Sequence, residues 1–87
     1  MKLEFTKGYQ KNFDSLRRNE QIRVQSCLRL FLHDPASPSL RNHALKGKYK
    51  NFKSISAGGD LRLHYYEKGD KITFVFVSVG SHSQLYK

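Results

Sequence analysis

The chain has no tryptophan, one cysteine, one methionine and two prolines in 87 residues, and only seven acidic side chains against sixteen lysines and arginines. Each scarcity excludes something. A single thiol, Cys27, cannot build an internal disulfide framework, which fits a reducing compartment. No paired Cys or His spacing is present to hold a zinc ion. The longest strongly apolar run, Ile72 to Val77, spans six residues, far short of the ~20 that a membrane helix needs. Met1-Lys2-Leu3-Glu4 puts charge where a secretion signal has its apolar segment. Phosphate-cradling glycine loops and Gly-x-Ser-x-Gly elbows are missing too. The expectation is a soluble cytoplasmic chain with no metal, cofactor or membrane contact.

What is abundant is positive charge, a net +9 on the whole chain. Such a field favours polyanions, above all nucleic acid, because phosphate contacts release counterions. Solubility alone is the bland reading, but the distribution is uneven. Between Arg41 and Arg62 stand six cations (Arg41, Lys46, Lys48, Lys50, Lys53 and Arg62) and one anion, Asp60. A patch explains that clustering better than a sprinkle.

Length and apolar content support one small domain, residues 1–87. Lys2 to Thr6 alternates as a short strand, and Thr6 can cap a helix from Lys7 to about Leu16 with Tyr9, Phe13 and Leu16 on one face. A second helix is predicted from about Glu20 to His33, capped by Asn19, with Val24, Cys27, Leu28 and Phe31 in its stripe; Pro35 ends it. Cys27 inside that stripe reads as a buried structural thiol. A loop punctuated by Pro35, Pro38 and Gly47 follows. Three strands come next: a mixed one from Tyr49 to Ser56, an alternating one from Leu61 to Tyr66, and one apolar on both faces from Ile72 to Val79. Gly58-Gly59 and Lys68-Gly69-Asp70 supply the turns. The order β-α-α-β-β-β predicts an α+β domain, an antiparallel sheet with two N-terminal helices on one face.

Residues able to do chemistry gather near one end of that sheet. His43 closes the long loop, Asp60 and Arg62 open the alternating strand, and His82 and Tyr86 follow the last one. An antiparallel meander brings the start of the second strand beside the end of the third. RNA cleavage needs such a set: a 2′-hydroxyl must lose a proton, a 5′-oxygen must gain one, and the charge on phosphorus needs cations. Histidine titrates in the right range, and Arg binds phosphate bidentately. Each residue also has a plainer reading. A lone histidine such as His43 or His82 is more often a surface or core hydrogen-bonder than a catalyst, Asp60 also reads as a turn residue and Tyr86 as a core closer. His33 suits a helix C-terminus, and His64, inside a strand, reads as structural.

The stretches "NHALKGKYKNFKSI", "GGDLRLHYY" and "FVSVGSHSQLYK", with the opening "LEFTKGYQKNFDSL", resemble the RelE/YafQ superfamily of bacterial type II toxins. His43-Ala44-Leu45-Lys46-Gly47 and Gly80-Ser81-His82 with Leu85-Tyr86 carry the likeness most specifically, and they favour the YafQ branch. The resemblance implies an mRNA endonuclease acting on the translating ribosome and neutralised by a cognate antitoxin. It also implies a toxin–antitoxin complex able to bind operator DNA through the antitoxin. Carried over by position, His43, Asp60 and His82 match YafQ-type catalytic residues, and Tyr86 falls where an aromatic assists. Arg62 matches a phosphate-stabilising arginine of RelE, while Lys50 and Lys53 lie in its lysine-bearing strand. Ser56 departs from the pattern, standing where YafQ-type proteins commonly carry a histidine. Two other functions fit the same scaffold: a ParE-like topoisomerase poison, and a basic RNA-binding module without catalysis.

Overall fold

In the computed structural model, which describes residues 1–86, the chain runs β1 (Lys2–Phe5), α1 (Lys7–Asp14), α2 (Arg18–His33), β2 (His43–Ala44), β3 (Lys53–Ser56), β4 (Leu61–Glu67), β5 (Thr73–Ser81) and α3 (His82–Leu85). Thr6 caps α1 as expected, its Oγ accepting the Tyr9 N–H at 3.1 Å. α2 starts before the expected Asn19 cap. Glu20 reaches back to accept the Arg17 N–H at 3.0 Å, so Arg17 becomes the boundary residue. The mixed stretch from Tyr49 also divides: Gly47–Tyr49 is a 3-10 turn, and only Lys53–Ser56 pairs as a strand.

The strand order is β1-β5-β4-β3-β2. The pairs β2–β3, β3–β4 and β4–β5 are antiparallel. β1 is the correction to the expected antiparallel sheet: it lies parallel to β5, with Leu3 opposite Phe74. Tight turns fix the direction of β4 and β5, whereas β1 reaches the sheet through a helical crossover that no hairpin constrains. Two short elements, β2 and α3, join those read from the sequence. Both are too brief to show a period.

α1 and α2 cover one face. Tyr9, Val24, Cys27 and Phe31 meet Ile55, Leu61, Leu63, Tyr65, Phe76 and Val79 there. Phe31 lies edge-on to Tyr65 and Phe76, at 5.2 and 5.6 Å between ring centres. Phe76 and Val79 are an odd number of residues apart, so a regular strand would put them on opposite faces. A bulge resolves this. His64 pairs with Ser78 and Tyr65 with Phe76, which leaves Val77 without a cross-strand partner. β1 stops at Phe5, and α1 completes the edge beyond it: Asn12 Oδ1 accepts the Val79 N–H at 3.2 Å. The helices thus take one side of the sheet and leave the other for α3.

Candidate active site

On the face away from α1 and α2, cross-strand pairing lines up His43, Ser54, His64 and Ser78 in one row and Ser56, Arg62 and Gly80 in the next. The same alternation that sends Leu61, Leu63 and Tyr65 into the core points Arg62 and His64 here. α3 folds back over these rows. Ser81 caps it, its N–H donating to Gln84 Oε1 at 2.8 Å while its Oγ accepts the Gln84 N–H at 3.2 Å. The Tyr49 hydroxyl donates to the Leu85 carbonyl at 3.3 Å and ties the 3-10 turn to α3.

The result is an aromatic and imidazole cluster. Tyr86 lies 4.4 Å from His82, 5.2 Å from His64 and 5.4 Å from Tyr49 between ring centres. Burial and the neighbouring Tyr49 raise the Tyr86 pKa, while the nearby Arg62 pulls it the other way. The phenol is therefore protonated at neutral pH. His64 is 3% exposed and its Nε2 has no hydrogen-bond partner among the described residues. Burial, then electrostatic repulsion from His43 and His82 against a protonated ring, push its pKa below the usual imidazole value, so the ring stays neutral at pH 7. An orphaned buried nitrogen of this kind costs about 1–3 kcal/mol.

His43 is exposed at the edge strand, and its Nδ1–H donates to the Arg41 carbonyl at 2.7 Å. A carbonyl only accepts, so Nδ1 carries the hydrogen and Nε2 of the neutral ring keeps its lone pair. Arg41 makes this contact from a left-handed backbone, φ 49°, which is uncommon outside glycine and asparagine. A groove lined by Pro35, Pro38, Arg41, His43 and Lys53 opens beside it. Arg62 Nη1 donates to Ser56 Oγ at 3.1 Å and to the Gly59 carbonyl at 2.7 Å. Ser56 therefore holds an arginine where a histidine was expected from the resemblance.

The structure thus gathers His82, Tyr86 and Arg62, with His43 at the edge of the same face. Asp60 stands apart. It precedes Leu61, the partner of Ser81, and so lies at the His82 end of the sheet. It is exposed, and it forms no ion pair or side-chain hydrogen bond with any described residue. Arg41, Lys46, Lys48, Lys50 and Lys53 are all exposed, with Lys48 Nζ 5.2 Å from the Tyr49 ring centre. Sequence reading passed over Tyr49 and set His64 aside as structural. The alternation of Leu61 to Tyr66 already put His64 beside Arg62, but its cover by Tyr49 and Tyr86 depends on the path of α3. Among the described residues, no three His, Cys, Asp or Glu side chains converge to hold a metal ion.

Comparison with known proteins follows the same lines. The family model for the YafQ bacterial toxin of type II toxin–antitoxin systems matches residues 1–87. YafQ from E. coli strain BL21(DE3) superposes with a TM-score of 0.81 at 15% identity, over 98% of this chain and 97% of that one. A copper-bound mutant toxin from Helicobacter pylori is 33% identical, with a TM-score of 0.72 and 99% of each chain covered. The E. coli DinJ–YafQ toxin–antitoxin complex gives 0.77 at 17% identity, over 98% of this chain and 96% of that one. Comparison with curated proteins gives no match. With the family model spanning its full length and a toxin one-third identical across it, the chain belongs to the YafQ family of bacterial type II toxins.

Proposed function

We propose that the chain is a ribosome-dependent mRNA endonuclease. The observation that carries this reading is the convergence of His82, Tyr86 and Arg62 on the sheet face that α1 and α2 leave open. His43 lies in the next row of that face, and exposed lysines border it. A protein that only binds a partner has no need of clustered proton carriers. In cleavage, the 2′-oxygen attacks phosphorus as its proton passes to a base. The new O–P bond forms while the bond to the 5′-oxygen breaks, and an acid returns a proton to that oxygen. Nε2 of His43, its lone pair set free by the Arg41 contact, suits the base. His82, exposed on the first turn of α3, suits the acid. Arg62, held by Ser56 and Gly59, suits the charge on phosphorus. Tyr86 stacks on the substrate nucleotide.

The DinJ–YafQ complex supports a cognate antitoxin as the natural partner. A net charge of +9 calls for an acidic one, disordered in part when free, that covers or displaces the α3 end. Contact of the complex with operator DNA would then run through the antitoxin. Expression in cells carrying separate reporters for translation and DNA damage tests the reading. Rapid loss of protein synthesis is expected. A DNA-damage response with translation intact would instead identify a topoisomerase poison, and normal growth a non-catalytic RNA-binding module.

A further inference from the structure

We propose that His64 is a substrate-contacting residue, covered by the Tyr86 ring until a nucleotide draws that ring away, and that its Nε2 then binds a phosphate oxygen. The inference rests on the nuclease reading and adds a contact to that site which neither the sequence pattern nor the family resemblance assigned. It starts from the orphaned nitrogen. Buried imidazoles that serve only structure are hydrogen-bonded as a rule. Nε2 of His64 is sealed without a partner among the described residues.

Its surroundings are those of a site. Tyr49 and Tyr86 cover the ring at 6.2 and 5.2 Å between centres. Ser54 on β3 and Ser78 on β5 flank it by register. Facing it are His43 from β2, Tyr49 from the 3-10 turn, His82 from α3 and Tyr86 just after it, with Arg62 two residues away on its own strand and close to Tyr86. None of these groups is an acid. Among the described residues none supplies the negative partner that a donating imidazole wants, and an RNA phosphate does.

The cover is lightly built. α3 is one turn long, and Tyr86 follows its last residue. When Tyr86 swings to stack on a base, it vacates the space over His64. A phosphate entering there meets Nε2–H from His64 and lies one row from Arg62. No bond is made or broken in this contact. It orients the phosphate while His43 and His82 exchange the protons.

The test is an NMR titration of the ¹⁵N-labelled full chain with a 2′-O-methyl RNA trinucleotide, which keeps the phosphates and bases but cannot be cleaved. The His64 ring signals should shift with the same midpoint as those of His82, and the titration midpoint of His64 should rise by about one unit as the phosphate settles beside it. Shifts at His82 and Tyr86 that leave His64 unmoved would overturn this inference and spare the nuclease reading. A spectrum unchanged at every residue would overturn both. A companion variant, Tyr86→Ala, removes the cover without touching the core, and the midpoint of His64 should rise in it even without RNA. An unchanged midpoint there would overturn the cover. On programmed ribosomes His64→Gln should cleave at least ~10-fold more slowly, with an altered pH profile. A wild-type rate and profile in that variant would count against the contact.

Discussion

At His64 and His43, two imidazoles on one sheet face receive opposite treatment from their surroundings. His43 is exposed and locked into one tautomer by the Arg41 carbonyl, which leaves a free basic nitrogen. His64 is buried against aromatic rings and held neutral below its ordinary pKa of 6.5. This has a consequence for stability. Above pH 6.5 the ring is neutral in both folded and unfolded chains. Below it the unfolded chain takes up a proton that the fold resists, so stability falls as pH drops from 6.5 toward the lower folded value. Urea unfolding at pH 7.5 and 5.5 checks this: His64→Gln should lose less stability between the two than the wild type, and equal losses would contradict it. That His43, Arg62, His82 and Tyr86 come to one face was partly legible in the sequence. Their pairing was not legible. It depends on a left-handed Arg41 and a bulge at Val77, which no local pattern announces. Cys27, read as a structural thiol, is buried with its pKa pushed up to about 11, and its Sγ–H donates to the Ser56 carbonyl at 3.4 Å.

α3 is the element on which the site turns, and its docking rests on Gly80. A Cβ there would stand 2.8 Å from Gln84 Oε1 and 3.6 Å from Leu85 Cδ2. Gly80→Ala therefore forces the Gln84 side chain off the Ser81 N–H that it caps. The loss should be local, about 1 kcal/mol for a cap. Hydrogen exchange is the check. The Gln84 and Tyr86 amides, bonded to Ser81 Oγ and the His82 carbonyl, should exchange faster while those of β4 stay protected. Uniform loss of protection, or none, would contradict local release. Long periodic elements were readable because burial imposes a period: the α2 stripe meets the core, and the Leu61–Tyr66 alternation holds. A four-residue helix and a two-residue strand carry no period. The parallel setting of β1 follows from a crossover rather than from any residue in β1.

Over the whole molecule, charge and fold divide the labour. The helices bury the core on one side of the sheet, and the turn that carries Lys48 and Tyr49 adds exposed positive charge to the other. Changing Lys46, Lys48, Lys50 and Lys53 together to Glu should weaken ribosome and RNA binding. It should also flatten the salt dependence, lowering the slope of log K against log salt by about 3 if all four meet phosphates. Unchanged binding at low and moderate salt would remove the lysines from the interface. The central claim is that α3 delivers a proton donor to an RNA phosphate, and mapping mRNA ends after adding toxin to a purified translation system tests it most directly. The wild-type chain should leave mRNA cut at the ribosome, and folded His82→Ala should bind as before but cut on the order of 10²-fold more slowly. Arrested translation with intact mRNA, or cutting by His82→Ala at the wild-type rate, would contradict the account.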